Sequence, residues 1–352
     1  MRKKTELSRL NVGFCLLVVF IHVLSEAVGG LRPGSWQYAL VYLPQRLAFV
    51  AVPGFFFLSG LKLTLSRRPF RLGPYYWGRV RRLLLPYLLA VLIYFLYLYP
   101  VSDYGFSLSA LGGFLRRGDL AAQFYFLYPL AQFILLTPLF RHVVERRSPT
   151  LLLPAATAVT LLSSVFLPEI VQTVAPGAAF ARSGMVFTSY LLYYLAGCYA
   201  GRYYPAFTKL LRENRVLIYV LAAVFALTDA AASYLDAVGL RQVGYLQILH
   251  LLYFSFAILC FYDLALGRAG RELPRAAAAV DRAGFLIYLY HVLVILVLDQ
   301  WMSTAGLSGI GARLALRLAL VFPATAGLCV LWQTLWRQVF SHKPQTEKEE
   351  PK

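Results

Sequence analysis

Apolar stretches of about twenty residues recur along this chain, divided by short polar segments rich in Arg, Gly and Pro. At about 1.5 Å per residue, a helix needs about 20 such residues to cross a hydrocarbon core of about 30 Å. Ten stretches have that character: 10–28, 38–61, 83–101, 120–140, 149–167, 185–204, 216–238, 244–266, 284–301 and 314–336. Pro100, Pro168 and Gly267 mark the ends of three of them. The pattern predicts an all-α polytopic integral membrane bundle of about ten transmembrane helices. Residues 1–340 read as a single transmembrane domain and 341–352 as a polar, disordered tail. The basic start, Met1 to Lys4, precedes a run too long for a cleaved leader, so the run reads as a retained first span.

Composition agrees, with 59% of the 352 residues apolar. Lys and Arg number 34 against 16 Asp and Glu, for a net charge of +18. On a soluble protein that excess would suggest nucleic acid. Here its distribution gives a different reading. With the N-terminus placed in the cytoplasm, 26 basic residues fall in inner segments and 6 in outer ones, leaving Arg46 and Arg317 within spans. Cationic loops stay cytoplasmic, so both termini are predicted inside and a nucleic-acid partner is not. Cys15, Cys198, Cys260 and Cys329 lie apart in apolar stretches and suit neither a disulfide framework nor a metal site.

Ionisable groups inside a bilayer are rare and usually have a task. His22 is predicted about 18 Å from the cytoplasmic face and Arg46 about 12 Å from the outer one, which is the same level. Asp229 falls near that level too. Glu26 is one turn beyond His22 on the same helix face, and His291 is about 10 Å in from the cytoplasm. Asp236 and Asp299 lie near helix ends and read as solvated. The inner loop from Lys62 to Arg82 holds seven cations with Tyr75, Tyr76 and Trp77 among them. Arg forks suit phosphate and aromatics stack on a base, so the loop could hold a polyanion such as coenzyme A as well as face anionic lipid.

Several segments, taken in order, resemble the acyltransferase 3 family of polytopic membrane O-acyltransferases. They are Leu16-Leu17-Val18-Val19-Phe20-Ile21-His22, Pro53-Gly54-Phe55-Phe56-Phe57-Leu58-Ser59-Gly60 and Arg79-Val80-Arg81-Arg82-Leu83-Leu84-Leu85-Pro86-Tyr87. Phe124-Tyr125-Phe126-Leu127-Tyr128, Tyr194-Leu195-Ala196-Gly197 and Ile287-Tyr288-Leu289-Tyr290-His291 complete the set. Members with a first-span motif place an Arg, then ten residues, then the His. That position here is Asn11, with Arg9 two residues earlier.

The resemblance implies transfer of an acyl group, usually acetyl, from acyl-CoA to a hydroxyl of an envelope glycan or lipid-linked sugar at the plasma membrane. It implies His22 as general base or acyl acceptor, and Arg79 and Arg82 as the acetyl-CoA phosphate site, with Arg68 and Arg71 as the other candidate pair. Glu26 is expected to orient the imidazole and Arg46 to stabilise the oxyanion. Ser59, Tyr288 and His291 are expected to line the channel, with no metal involved. A proton-coupled secondary transporter is the alternative that midplane His, Arg and Asp would also suit, though no internal repeat supports it.

Overall fold

The computed structural model describes residues 4–66, 70–101, 106–174 and 183–340, and among these the chain is helical without strands. Arg68 and the tail at 341–352 lie outside the described residues. Eight segments are long and apolar enough to span a membrane. The first three are α1 (Thr5–Gly30), the pair α2 (Trp36–Ala48) and α3 (Ala51–Leu65), and α4 (Leu72–Arg79) continued by α5 (Leu85–Leu98). The other five are α9 (Pro149–Val174), α12 (Arg215–Ala237), α13 (Leu246–Leu266), α14 (Arg275–Thr304) and α15 (Ile310–Phe340). A ninth arises if α7 (Leu127–Leu135) and α8 (Thr137–Arg146), bent by 58°, form one span. The stretch expected at 185–204 holds α10 (Leu191–Arg202), which is entered through two short tight turns and has only 12 residues. Two amphipathic helices, α6 (Leu108–Arg117) and α11 (Tyr204–Glu213), complete the chain.

Prolines set the breaks that shape the interior. Pro53 has no N–H to give the Phe49 carbonyl, and the α2–α3 junction lies at Phe49–Val50. Pro86 likewise leaves the Arg82 carbonyl without its partner, and Val80–Leu84 widens into a π-turn closed by Leu85 N–H on the Val80 carbonyl. Pro138 follows the bend between α7 and α8. That bend is tied to α4 by Tyr76 donating to the Leu135 carbonyl at 2.9 Å and by a Tyr75–Thr137 hydroxyl bond of 2.9 Å.

Glycines set the closest crossing. A Cβ on Gly60 would lie 2.1 Å from the Tyr194 carbonyl, and one on Gly197 would lie 2.0 Å from that of Phe57. Helices α3 and α10 therefore meet backbone to backbone, as small residues allow within a bilayer. Beside this crossing Phe133 stacks on Tyr194 with ring centroids 4.1 Å apart. At the start of α1, buried Glu6 accepts from Tyr204 on α11. Burial and that carboxylate raise the Tyr204 phenol above its ordinary value, so it stays a donor.

Candidate active site

His22 on α1 and His291 on α14 face each other with ring centroids 5.0 Å apart. His291 is fully buried and His22 partly so. His291 Nδ1 lies 3.0 Å from the Ile287 carbonyl. A carbonyl only accepts, so in the neutral ring Nδ1 carries the proton. Nε2 is then a bare lone pair, buried without a hydrogen-bond partner. An unpaired buried acceptor costs about 1–3 kcal/mol, which makes this atom a natural place for a visiting donor.

The helical turn around His291 is held by side chains from two other elements. Leu293 N–H donates to the Tyr94 hydroxyl at 2.7 Å, and that hydroxyl donates to the Leu289 carbonyl at 3.0 Å. These two backbone groups stand four residues apart on α14, and Tyr94 ties both to α5. Gln123 Nε2 supports the bridge, 2.9 Å from the Tyr94 hydroxyl and 3.1 Å from the Leu289 carbonyl. Tyr288 in turn donates to the Gln123 carbonyl.

A cavity of about 200 Å³ climbs α1 from Asn11 to Cys15 and α14 from Gly284 to Tyr288. Ser59, Arg79 and Phe126 also line it. Its inner end is thus one helical turn from His291, and Arg79 stands at its outer end. A mainly apolar groove of about 460 Å³ shares Arg79, Leu83 and Leu130 with it. Arg79, at the end of α4, places its guanidinium over the Tyr75 ring, 5.1 Å from the centroid. Arg82 is exposed within the π-turn, and Arg71 is exposed ahead of α4. Arg79 and residues from four of the quoted sequence segments line this one space.

Glu26 and Arg46 point elsewhere. Glu26 pairs with Arg317 and, at 3.2 Å, with Arg313 on α15, and not with His22. Asp299, expected to be solvated, joins the same network through Arg317 and is only partly exposed. Arg46 Nε is 3.4 Å from buried Asp229 on α12, and its Nη2 meets His250 Nδ1 on α13. His250 Nδ1 also meets Asp229 Oδ1. Successive residues differ by about 100° around a helix. Gln45 therefore takes the α1 side, donating to the Ile21 carbonyl at 2.9 Å, while Arg46 faces α12 and α13. His250 went unread in the sequence; its signal was an ionisable residue inside the predicted span 244–266.

Asn11, at the position where the resemblance leads one to expect Arg, lines the cavity and donates to Asp281 at 3.0 Å. Arg9 instead donates to the Arg271 and Glu272 carbonyls at 3.0 and 3.2 Å. No group of His, Cys, Asp or Glu able to hold a metal ion occurs among the described residues.

The helices and the buried histidine pair define a multi-pass membrane protein with a polar site within its apolar spans. The acyltransferase 3 model, described as an acyltransferase domain, matches residues 12–333, and the chain belongs to that family. A relative in Bacillus subtilis (strain 168), named "Putative membrane-bound acyltransferase YfiQ", is 23% identical over 304 residues, covering 80% of this chain and 78% of the relative. No solved structure matches the chain significantly. The protein is a membrane acyltransferase, which sets the transporter alternative aside.

Proposed function

We propose that this acyltransferase moves an acyl group, acetyl in the simplest case, from cytoplasmic acyl-CoA to a hydroxyl of an envelope glycan or lipid-linked sugar at the plasma membrane. The observation that carries the reading is the cavity that runs from Arg79 to the turn beneath the His22–His291 pair. Arg79 and Arg82 would hold the donor's phosphates outside it, with Arg71 adding charge nearby. The pantetheine arm would then pass Asn11 and Ser59 and bring the thioester to the histidines, while the apolar groove beside Arg79 could take a longer acyl chain. Transfer forms a bond from the acceptor oxygen to the acyl carbon and breaks the carbon–sulfur bond. The hydroxyl proton passes to a histidine and then to the leaving thiolate. His22 acts as the base or takes the acyl group itself, and the bare Nε2 of His291 is the second lone pair at this point. Arg46, engaged with Asp229 and His250, serves the oxyanion only if it leaves them, so its role is positional.

The test is acetyl-CoA binding by the full chain in lipid nanodiscs. Wild type should bind saturably, and the Arg79→Ala, Arg82→Ala double variant should lose affinity by tenfold or more. An unchanged Kd would reassign this stretch to lipid anchoring.

A further inference from the structure

A second cavity, of about 160 Å³, lies between α3, α9, α10 and α13 and takes no part in the chemistry above. The far end of α13, from Phe261 to Arg268, shares a groove with Arg9 to Leu17 of α1 and so lies on the Arg79 side. Gln247 and His250, at the near end of α13, therefore face the opposite side of the bundle.

The wall of this cavity carries several polar groups on a mainly apolar lining and is nearly neutral. Four groups on it make no hydrogen bond among the described residues: the hydroxyls of Ser164 and Tyr193, the Gln247 amide and His250 Nε2. The Arg46 and Asp229 charges behind His250 offset each other. The rings of Tyr190 and Phe254 supply apolar faces. Uncharged groups that both donate and accept, set beside aromatic rings, suit a polyhydroxylated ring rather than an ion or an acyl chain.

His250 adds a feature of its own. In a neutral ring, Nδ1 either donates to Asp229 or accepts from Arg46, and it cannot do both. In the first state Nε2 accepts from a ligand hydroxyl, and in the second it donates to one. The paired charges hold the ring in place while leaving the choice to the ligand.

We propose that this cavity is a sugar-binding subsite for the acceptor, with His250 as its hydrogen-bonding head. It would seat one ring of the acceptor while the reacting hydroxyl reaches the histidine pair. The proposal rests on the acyltransferase reading above and names where its second substrate is held.

The experiment uses the full chain in nanodiscs, with octyl β-glucoside and octyl β-N-acetylglucosaminide as probes. Diethyl pyrocarbonate labelling is read by peptide mass spectrometry at His250 and, as internal reference, at exposed His142. A glycoside should slow labelling of His250 severalfold and leave His142 unchanged. Ser164→Leu, which narrows the cavity without replacing any member of the Arg46–Asp229–His250 cluster, should raise the glycoside KM at least tenfold and leave the acetyl-CoA Kd within twofold. Equal labelling of His250 with and without both glycosides overturns the proposal, as does a Ser164→Leu variant that weakens both substrates alike. Wild type that fails to bind acetyl-CoA sinks the acyl-CoA reading instead, and the labelling result then still decides the cavity.

Discussion

At His291, a single backbone carbonyl decides the chemistry of the ring. Because Ile287 occupies Nδ1, the basic nitrogen is the one that faces no partner. Such an atom costs stability and is kept for another reason, so activity and stability should part company here. His291→Leu is expected to lose transfer by at least a hundredfold while its Tm stays level or rises. A fall of several degrees with activity retained would make the ring structural. His22→Ala should abolish transfer with insertion and acetyl-CoA binding intact, and full activity in that variant would remove the mechanism. Both histidines were legible in the sequence, because a titratable group in an apolar run stands out. The partners of Glu26 and Arg46 were not. Depth along a helix follows from counting residues, but which neighbour a side chain meets depends on how helices are rotated about their axes, and one chain's pattern does not carry that.

Among the elements, the crossing of α3 and α10 gives a physical meaning to two short segments that look unrelated in sequence. Ser59-Gly60 turns a hydroxyl to the cavity and a bare Cα to α10, and Gly197 answers from the other helix. Adding one methyl at either glycine forces backbones apart, an overpacking cost of about 1–3 kcal/mol or more. Gly60→Ala and Gly197→Ala should lower Tm measurably, whereas Gly13→Ala, which meets open space, should not. If all three behave alike, the close approach is not what holds the pair. The bridge made by Tyr94 is tested by Tyr94→Phe. Without the hydroxyl, the His291 turn loses its tie to α5 and is held less firmly. The expected result is a lower kcat with an unchanged acetyl-CoA Kd, and an unaltered kcat would show the bridge to be incidental. Nothing in the sequence announced it, since a Tyr in an apolar span is ordinary and Gln123 precedes its motif without comment.

Across the whole molecule, the all-helical class and most of the long helices follow from hydropathy alone. The bends follow less readily, because a proline says that a helix is disturbed and not by how much. The charge alternation predicts which face is cytoplasmic, and the structure turns this into a two-site test. Ser66, at the end of α3, lies on the Arg79 side, while Ala305, just past α14, lies at the other end of the bundle from Gly284. Ala305→Cys should react with an impermeant maleimide in intact cells and Ser66→Cys only after permeabilisation. The reverse pattern would invert the topology and place the donor cavity on the outer face.

Gln45 and Arg46 are neighbours in one turn of α2, yet one is bonded to the helix of His22 and the other to the cluster behind His250. The two cavities therefore share a mechanical joint. A ligand that engages His250 draws on this turn through Arg46, as an inert side chain in Ser164→Leu does not, so the free energy of holding a donor would depend on whether an acceptor is bound. Thermodynamic reciprocity then requires that each ligand change the other's affinity by the same factor. The affinity for acetyl-CoA measured without an acceptor is thus one corner of a square, and the opposite corner is the state in which the reaction runs.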